Sequence, residues 1–332
     1  MKKVNIAVVG ATGMVGKEIL EILDQRKFPI NNLRLLASKK SAGSIVSFQG
    51  KSIKVEELTE SSFTDIDIAL FSAGGSISEK FAPFAVKAGA VVIDNTSHFR
   101  MDPNVPLVIP EVNKHALKKH NGIIANPNCS TAQLVMVLKP IHDKAKIKRL
   151  VISTYQSVSG AGKEAVLELE NHSRLLLKGQ DSDPKEFSHK MPFNVIPQID
   201  VFQENGYTKE EMKMIDETQK ILESTIQVTA TAVRVPVFIS HSEAVNIQTE
   251  TPISVEEVID SLNNFKGVSI LDNPNKKQYP TPRDISGKDD VYVGRIRKDI
   301  SQENSIECWI VADNLRKGAA LNAVQIAEEL VK

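Results

Sequence analysis

The sequence predicts an α/β protein: a doubly wound parallel sheet in its first part and an α+β domain in its second. Three observations predict it. Short apolar runs alternate with amphipathic helical stretches as far as Ala125. A glycine turn joins the first of those runs to the first helix. After Lys148 the pattern shifts towards alternation, in Leu150-Val151-Ile152-Ser153-Thr154-Tyr155 and in Thr229 to Val235, as in a sheet with one wet face.

The first strand is the apolar run Val4 to Val9, and Gly10-Ala11-Thr12-Gly13-Met14-Val15-Gly16 follows it directly. The helix after the turn carries Ile19, Leu20, Ile22 and Leu23 on one side and Lys17, Glu18, Glu21 and Asp24 on the other. Strand, glycine turn and helix in that order form the context of a phosphate-binding loop, whose glycines let the backbone approach a pyrophosphate at the helix N-terminus. The spacing is G-x-x-G-x-x-G rather than G-x-G-x-x-G, and an ordinary βα turn shares it. The placement after a clean first strand favours a nucleotide at Gly10, Thr12, Gly13, Met14, Val15 and Gly16.

The second strand, Leu33 to Ala37, ends in Ser38-Lys39-Lys40-Ser41-Ala42-Gly43. A carboxylate there would accept from a ribose 2′-hydroxyl. Ammonium and hydroxyl groups suit a 2′-phosphate instead, so NADP is expected, with a solvated basic loop as the alternative. Further strand-like runs are Ile66 to Phe71, Ala90 to Ile93, Leu107 to Ile109 and Gly122 to Ala125, with a helix over Ser78 to Ala88. This alternation completes a Rossmann-type sheet.

The remaining bounds are compositional. A chain of 332 residues has room for two domains. Charged residues make up 25% with a formal net charge of zero, so no electrostatic footprint for nucleic acid stands out. No apolar run approaches the roughly 20 residues of a membrane helix. Lys2-Lys3 before Val4 hints at a leader, but Gly10 to Gly13 breaks the apolar stretch too early. Two cysteines make no disulfide framework, which suits a reducing cytoplasm. No metal site is expected.

One of those cysteines, Cys129, sits in Asn126-Pro127-Asn128-Cys129-Ser130-Thr131, between the run Gly122 to Ala125 and a helical stretch from Ser130 to Leu138. A thiol at a helix N-terminus meets unpaired N–H groups and partial positive charge, which favour the thiolate. The local pattern fits a nucleophile and a small core residue equally. Helices are expected around Lys163 to Leu177 and Thr208 to Leu222, flanking an irregular stretch from Asp181 to Val201. Arg234 ends a strand and His241 follows seven residues on. A histidine near neutrality is an acid–base partner for a thiol, although His241 is one of 7 histidines and a surface or core role is the alternative.

Taken together these segments resemble the aspartate-β-semialdehyde dehydrogenase family along nearly the whole chain. The resemblance runs from Gly10–Gly16 and Ser38–Gly43 through Asp94-Asn95-Thr96-Ser97-His98-Phe99-Arg100-Met101-Asp102 and Asn126–Thr131. It continues in Thr154–Gly162, Glu210-Glu211-Met212-Lys213, Arg234–His241 and Val293–Asp299, and closes in Asp313-Asn314-Leu315-Arg316-Lys317-Gly318-Ala319-Ala320. It implies a glyceraldehyde-phosphate-dehydrogenase-like fold. Residues 1–127 would bind NADP, 128–313 would form a catalytic and dimerisation domain, and a helix over 314–331 would pack back on the first domain.

By the same resemblance Cys129 is the nucleophile, His241 its acid–base partner, and Gln156 the residue that orients the nucleophile or thioester. Arg234 would clamp the substrate carboxylate, Glu210 the ammonium, Arg100 and Lys213 the phosphate, with Asn128 also at the substrate. Ser38, Lys40, Ser41, Ser159, Gly160 and Asn314 would join the glycine loop in holding NADP. The implied reaction is NADPH-dependent conversion of 4-phospho-L-aspartate to L-aspartate 4-semialdehyde, in a homodimer or a tetramer. Departures are Ala232, where the family usually has cysteine, Thr229, and His98, read as a surface imidazole; Cys308 before Trp309 reads as core. The rivals are N-acetyl-glutamyl-phosphate reductase, glyceraldehyde-phosphate dehydrogenase and a non-catalytic NADP-sensing protein.

Overall fold

The computed structural model describes residues 3–332; Lys2, half of the leader-like flank, lies outside them. The chain divides into two compact units. One comprises the described residues up to Asn128 together with Ala319–Lys332, and the other is Cys129–Gly318.

The first unit is built on strands β1 (Val4–Val9), β2 (Ile30–Ala37), β5 (Glu56–Glu57), β6 (Ile68–Phe71), β7 (Val91–Asp94) and β8 (Ile123–Ala125), in the order β5-β2-β1-β6-β7-β8 and parallel throughout. Successive residues of a strand face opposite sides, and β1 shows what that does. Ile6 and Val8 enter one core with Leu35, Leu70, Ile93 and Ile124, while Ala7 and Val9 enter another with Leu36, Phe71 and Val92. Helices α1 (Met14–Gln25) and α9 (Leu321–Leu330) cover the first face, and α2 (Gly75–Lys87) the second. Both faces are thus buried, as a doubly wound sheet requires.

Two features depart from the sequence reading. The run Leu107 to Ile109 makes only an isolated bridge, Leu107 to Ala125. Pro106 offers no N–H to a ladder, and Pro110 opens the short helix α3 (Pro110–Asn113), so the chain turns away. Between β2 and β5 lies an unforeseen hairpin of β3 (Ile45–Phe48) and β4 (Lys51–Lys54). Its turn is Gln49-Gly50, with φ of +49° and +73°, the pair of positive values a two-residue hairpin loop needs.

The second unit centres on a mixed six-stranded sheet, order β10-β9-β11-β14-β13-β12. Its strands are β9 (Ile147–Gln156), β10 (Gln227–Arg234), β11 (His241–Thr249), β12 (Val268–Ile270), β13 (Val291–Lys298) and β14 (Ser305–Ala312). β10 runs parallel to β9, and β11 antiparallel to both β9 and β14. The helix α4 (Cys129–Ala145) packs on one face of β9, β11, β13 and β14. Residues 130–138 of α4 are all buried and the helix continues through Pro140, beyond the Leu138 limit expected from sequence. On β9, Leu150, Ile152, Thr154 and Gln156 are buried while Tyr155 is 37% exposed and its ring lies 5.4 Å from Trp309.

Helix α5 (Lys163–Leu176) shares a small core with Met191 and Ile196. Helix α6 (Lys209–Leu222) starts at a Thr208–Glu211 capping box, and α7 (Val255–Asn263) at a Ser254–Glu257 box. Each box satisfies two orphan N–H groups reciprocally. After the short α8 (Pro282–Ile285), β14 leads into a π-helical turn at Arg316–Ala320, and α9 follows. Among the described residues no helix is long and apolar enough to cross a membrane.

Candidate active site

The sheet register of the second unit explains why its polar residues gather at one edge. β9 and β10 are parallel and in register, so Gln156 and Arg234 end side by side. β11 runs the other way, and Ser242 pairs with Tyr155, so His241 begins where its neighbours stop. Parallel strand ends and one antiparallel strand start therefore place an amide, a guanidinium and an imidazole together. All three are at least nine-tenths buried.

Their partners come from α6 and the segments next to the strands. Arg234 Nη1 donates to the Ser157 carbonyl at 2.6 Å. Gln156 Nε2 donates to Thr154 Oγ1 and to Glu210 Oε1, each at 3.3 Å. Glu210 Oε2 meets Lys213 Nζ at 3.0 Å, one turn along α6, and Lys213 also reaches Asp200 Oδ2 at 3.0 Å. Burial pulls Lys213 down, but Glu210 and Asp200 outweigh it and hold the ammonium above its ordinary value. Burial lowers the Arg234 value, with Glu210 and Cys129 acting against that shift.

Cys129 is the first residue of α4 and is half-buried. Arg234 couples electrostatically to Cys129 and also to His241, so the three share one site. The turn from Arg316 to Ala320 closes on Cys129: a Cβ placed on Gly318 would stand 2.8 Å from Cys129 Cβ. Only a residue without a side chain permits that approach. Cys308 is different in kind, since burial pushes its thiol far up.

His241 is held by Ser157, whose N–H donates to Nδ1 at 3.0 Å. Burial, and then the Arg234 cation, push the imidazole down to about 3, against the pull of Glu210. A Cβ on Gly160 would lie 3.2 Å from His241 Nε2, and Asn314 Oδ1 lies 3.1 Å from Ser159 Oγ.

Glu243 lies two residues along β11, opposite Thr154 in the register and beside Gln133 of α4. It is fully buried and its carboxyl is raised well above 4.5, chiefly by burial. Burial therefore favours the neutral acid of Glu243 in the folded protein over the unfolded chain, where its proton is released near 4.5. Stability is greatest below that value and falls as pH rises towards the folded value. Glu243→Gln, which cannot ionise, is expected to melt like the wild type at about pH 4 and a few °C higher at about pH 8, with roughly 2–4 °C for each kcal/mol. Paired thermal melts at the two pH values check this.

The remaining sequence-predicted residues lie in the first unit. Gly10 has φ +88° and a Cβ there would meet the Ser72 carbonyl oxygen at 2.9 Å. A Cβ on Gly16 would meet the Gly10 carbonyl oxygen at 2.2 Å, so the loop folds tightly onto the start of α1. Gly13 caps α1 without a side-chain hydrogen bond, and no acidic residue occupies the first turn. A cleft of about 360 Å³ opens there, lined in part by Gly10, Thr12, Gly13, Ser38 and Ser72. These features fit a dinucleotide: an open helix start for the pyrophosphate and no carboxylate from Ser38 to Gly43. Met14 and Val15 open α1, while Lys40 and Ser41 continue in the loop after β2.

Arg100 is buried, with Nε donating to the Asn126 carbonyl at 2.9 Å and Nη2 to the Asn95 carbonyl at 2.8 Å. Asn128 is buried at the end of the unit. Sequence reasoning passed over Ser157, Asp200, Ser240, Glu243 and Gly318. Ser157, Ser240 and Gly318 stood inside quoted motifs, but nothing local marked any of them.

Comparison with known proteins agrees with this geometry. Residues 5–120 match the semialdehyde dehydrogenase NAD binding domain family, and residues 138–317 the semialdehyde dehydrogenase dimerisation domain family. The chain is 55% identical to an aspartate-semialdehyde dehydrogenase of Aquifex aeolicus over 98% of both chains. It is 51% identical to the Bacillus subtilis protein of that name, over 99% of this chain and 97% of the other. Among solved structures, aspartate semialdehyde dehydrogenase II from Vibrio cholerae complexed with ASA superimposes with a TM-score of 0.97 at 51% identity, covering 100% of this chain and 99% of that one. The enzyme from Candida albicans with NADP gives 0.75 at 27% identity, over 98% of both chains. The strand edge that carries Gln156, Arg234 and His241, the thiol at the start of α4 and these full-length matches agree: the chain belongs to the aspartate-semialdehyde dehydrogenase family.

Proposed function

We propose that the protein interconverts 4-phospho-L-aspartate and L-aspartate 4-semialdehyde, with NADP(H) and phosphate, through a thioester on Cys129. The observation that carries this reading is the shared site of Cys129, Arg234 and His241, closed by the Gln156–Glu210–Lys213 chain. The Cys129 thiolate attacks the acyl-phosphate carbon, the C–O bond to phosphate breaks, and the electron pair leaves on phosphate. The resulting thioester ties the acyl group to α4. NADPH, when bound, supplies the hydride that reduces the thioester carbonyl. The C–S bond then breaks, which frees the aldehyde and restores the thiolate.

Each remaining residue is proposed to bind or orient. The Arg234 fork matches the α-carboxylate, Glu210 faces the ammonium, and Gln156, hydrogen-bonded to Glu210, orients the acyl group. Lys213 and Arg100 hold the phosphate, with Asn128 beside the nucleophile. His241 is the acid–base partner. The glycine loop Gly10–Gly16, Ser38, Lys40 and Ser41 hold NADP, with Ser159, Gly160 and Asn314 at its reactive end. The hydroxyl and ammonium groups after β2 favour the 2′-phosphate of NADP over NAD. Residues 1–127 form the cofactor domain and 128–313 the catalytic one. A cytoplasmic homodimer that serves lysine, diaminopimelate, threonine, methionine and isoleucine biosynthesis completes the reading, with a tetramer as its larger alternative.

The test follows NADP reduction with L-aspartate 4-semialdehyde and phosphate. Parallel runs omit phosphate, replace NADP by NAD, or substitute N-acetyl-glutamate 5-semialdehyde. Phosphate-dependent turnover of the aspartyl substrate alone is expected. Turnover of only the N-acetylated aldehyde overturns the substrate assignment built on Glu210 and Arg234.

A further inference from the structure

A neutral imidazole has one N–H, and whichever nitrogen accepts a hydrogen bond leaves the proton on the other. In His241 the accepting atom is Nδ1, which faces the Ser157 N–H at 3.0 Å, with the Ser157 hydroxyl 3.1 Å away. The proton therefore sits on Nε2. That atom is buried and has no partner among the described residues. Burial and the Arg234 cation, opposed by Glu210 and by a hydrogen bond to the Ser240 backbone, keep the ring neutral near pH 7.

One side-chain amide, that of Asn314, links Ser157 directly to the start of β11. Ser240, just before His241, has φ +78°, a left-handed conformation that strains a non-glycine residue. The Ser240 N–H donates to Asn314 Oδ1 at 2.9 Å. The hydroxyls of Ser157 and Ser159 each lie 3.1 Å from the same oxygen, and Asn314 Nδ2 lies 3.0 Å from Ser159 Oγ. Asn314 is buried. It thus ties the strained residue before His241 to the segment that supplies the Nδ1 partner.

We propose that Asn314 is a positioning residue: it holds His241 in the tautomer with the proton on Nε2, so the resting ring meets the substrate oxygen as a hydrogen-bond donor. The resting enzyme is then not a thiolate–imidazolium pair. The hydrogen bond to an oxyanion at the reacting carbon makes and breaks no covalent bond. This narrows the acid–base role given to His241 and, for the identity of that oxygen, rests on the proposed reaction. The tautomer itself does not.

The experiment records two-bond ¹H–¹⁵N correlations on the full-length enzyme labelled with ¹⁵N-histidine, assigning His241 by its loss in His241→Gln. The wild type is expected to show an unprotonated Nδ1 and a protonated Nε2, unchanged between about pH 6 and 8. Asn314→Ala is expected to give a mixed or reversed tautomer. Its kcat falls roughly 10-fold, part of the ~100- to 10,000-fold a positioned histidine supplies, with the aldehyde KM little changed. Asn314→Asp keeps the acceptor oxygen and restores the wild-type pattern. A protonated Nδ1 or an imidazolium in the wild type overturns the proposal, as does an unaltered pattern in Asn314→Ala. If Asn314→Ala does not fold, the wild-type pattern decides the tautomer and Asn314→Asp the part of Asn314. The spectra need neither substrate nor cofactor, so a failed turnover assay leaves them readable.

Discussion

Replacing Cys129 by alanine is expected to remove turnover by roughly 10,000-fold or more, the scale on which a covalent nucleophile acts. The thiol opens α4 at a site shared with Arg234 and His241, and no other described thiol is placed to substitute, since Cys308 is buried with its ionisation pushed far up. The nucleotide cleft, lined by Gly10, Thr12, Gly13 and Ser38, contains no atom of Cys129. NADP affinity in the variant is therefore expected to stay close to that of the wild type. Paired measurements of NADP binding and phosphate-dependent turnover check both halves. Residual turnover within tenfold of wild type would sink the thioester scheme.

Gly318→Ala is the second large effect, and nothing in its chemistry announces it. The new methyl carbon would lie 2.8 Å from Cys129 Cβ and 3.2 Å from Cys129 Cα, too close for two carbon atoms. Neither neighbour is a flexible side-chain end, so α4 or the π-helical turn has to shift. Displacing a reacting atom by about 1 Å costs on the order of 100-fold in rate. A kcat lower by about that factor is expected, with an altered rate of Cys129 alkylation and unchanged NADP affinity. A kcat within threefold of wild type would show that the turn yields without moving the thiol.

Much of this architecture was legible because it repeats simple periods. β1 shows as the apolar run Val4 to Val9, which the sheet splits between two cores, and the alternation from Thr229 to Val235 placed Arg234 at a strand end. Where proline intervened, apolarity misled: Leu107 to Ile109 looks like a strand, yet Pro106 and Pro110 leave it one bridge. The β3–β4 hairpin was missed because β4, Lys51–Lys54, is a polar strand too short to show a pattern. At the site the difficulty is different. Gly318, Ser240 and Asp200 matter through contacts that depend on how distant segments pack. Glu243 reads in sequence as one more surface carboxylate, and only the register and α4 reveal it as buried.

The placing of α9 has a consequence for biogenesis. Leu321, Val324, Ile326 and Ala327 fill the same core as Ile6, Val8, Leu70 and Ile93, yet residues 129–318 are synthesised in between. At ~5–20 residues per second the ribosome takes roughly 10–40 s to cross that interval. Throughout it the first sheet has emerged with one face covered by α1 alone, which leaves apolar surface open to chaperones or to a neighbouring nascent chain. Premature termination anywhere before Leu321 would yield a nucleotide-binding unit that has all its glycines and strands and still lacks the helix that seals its core.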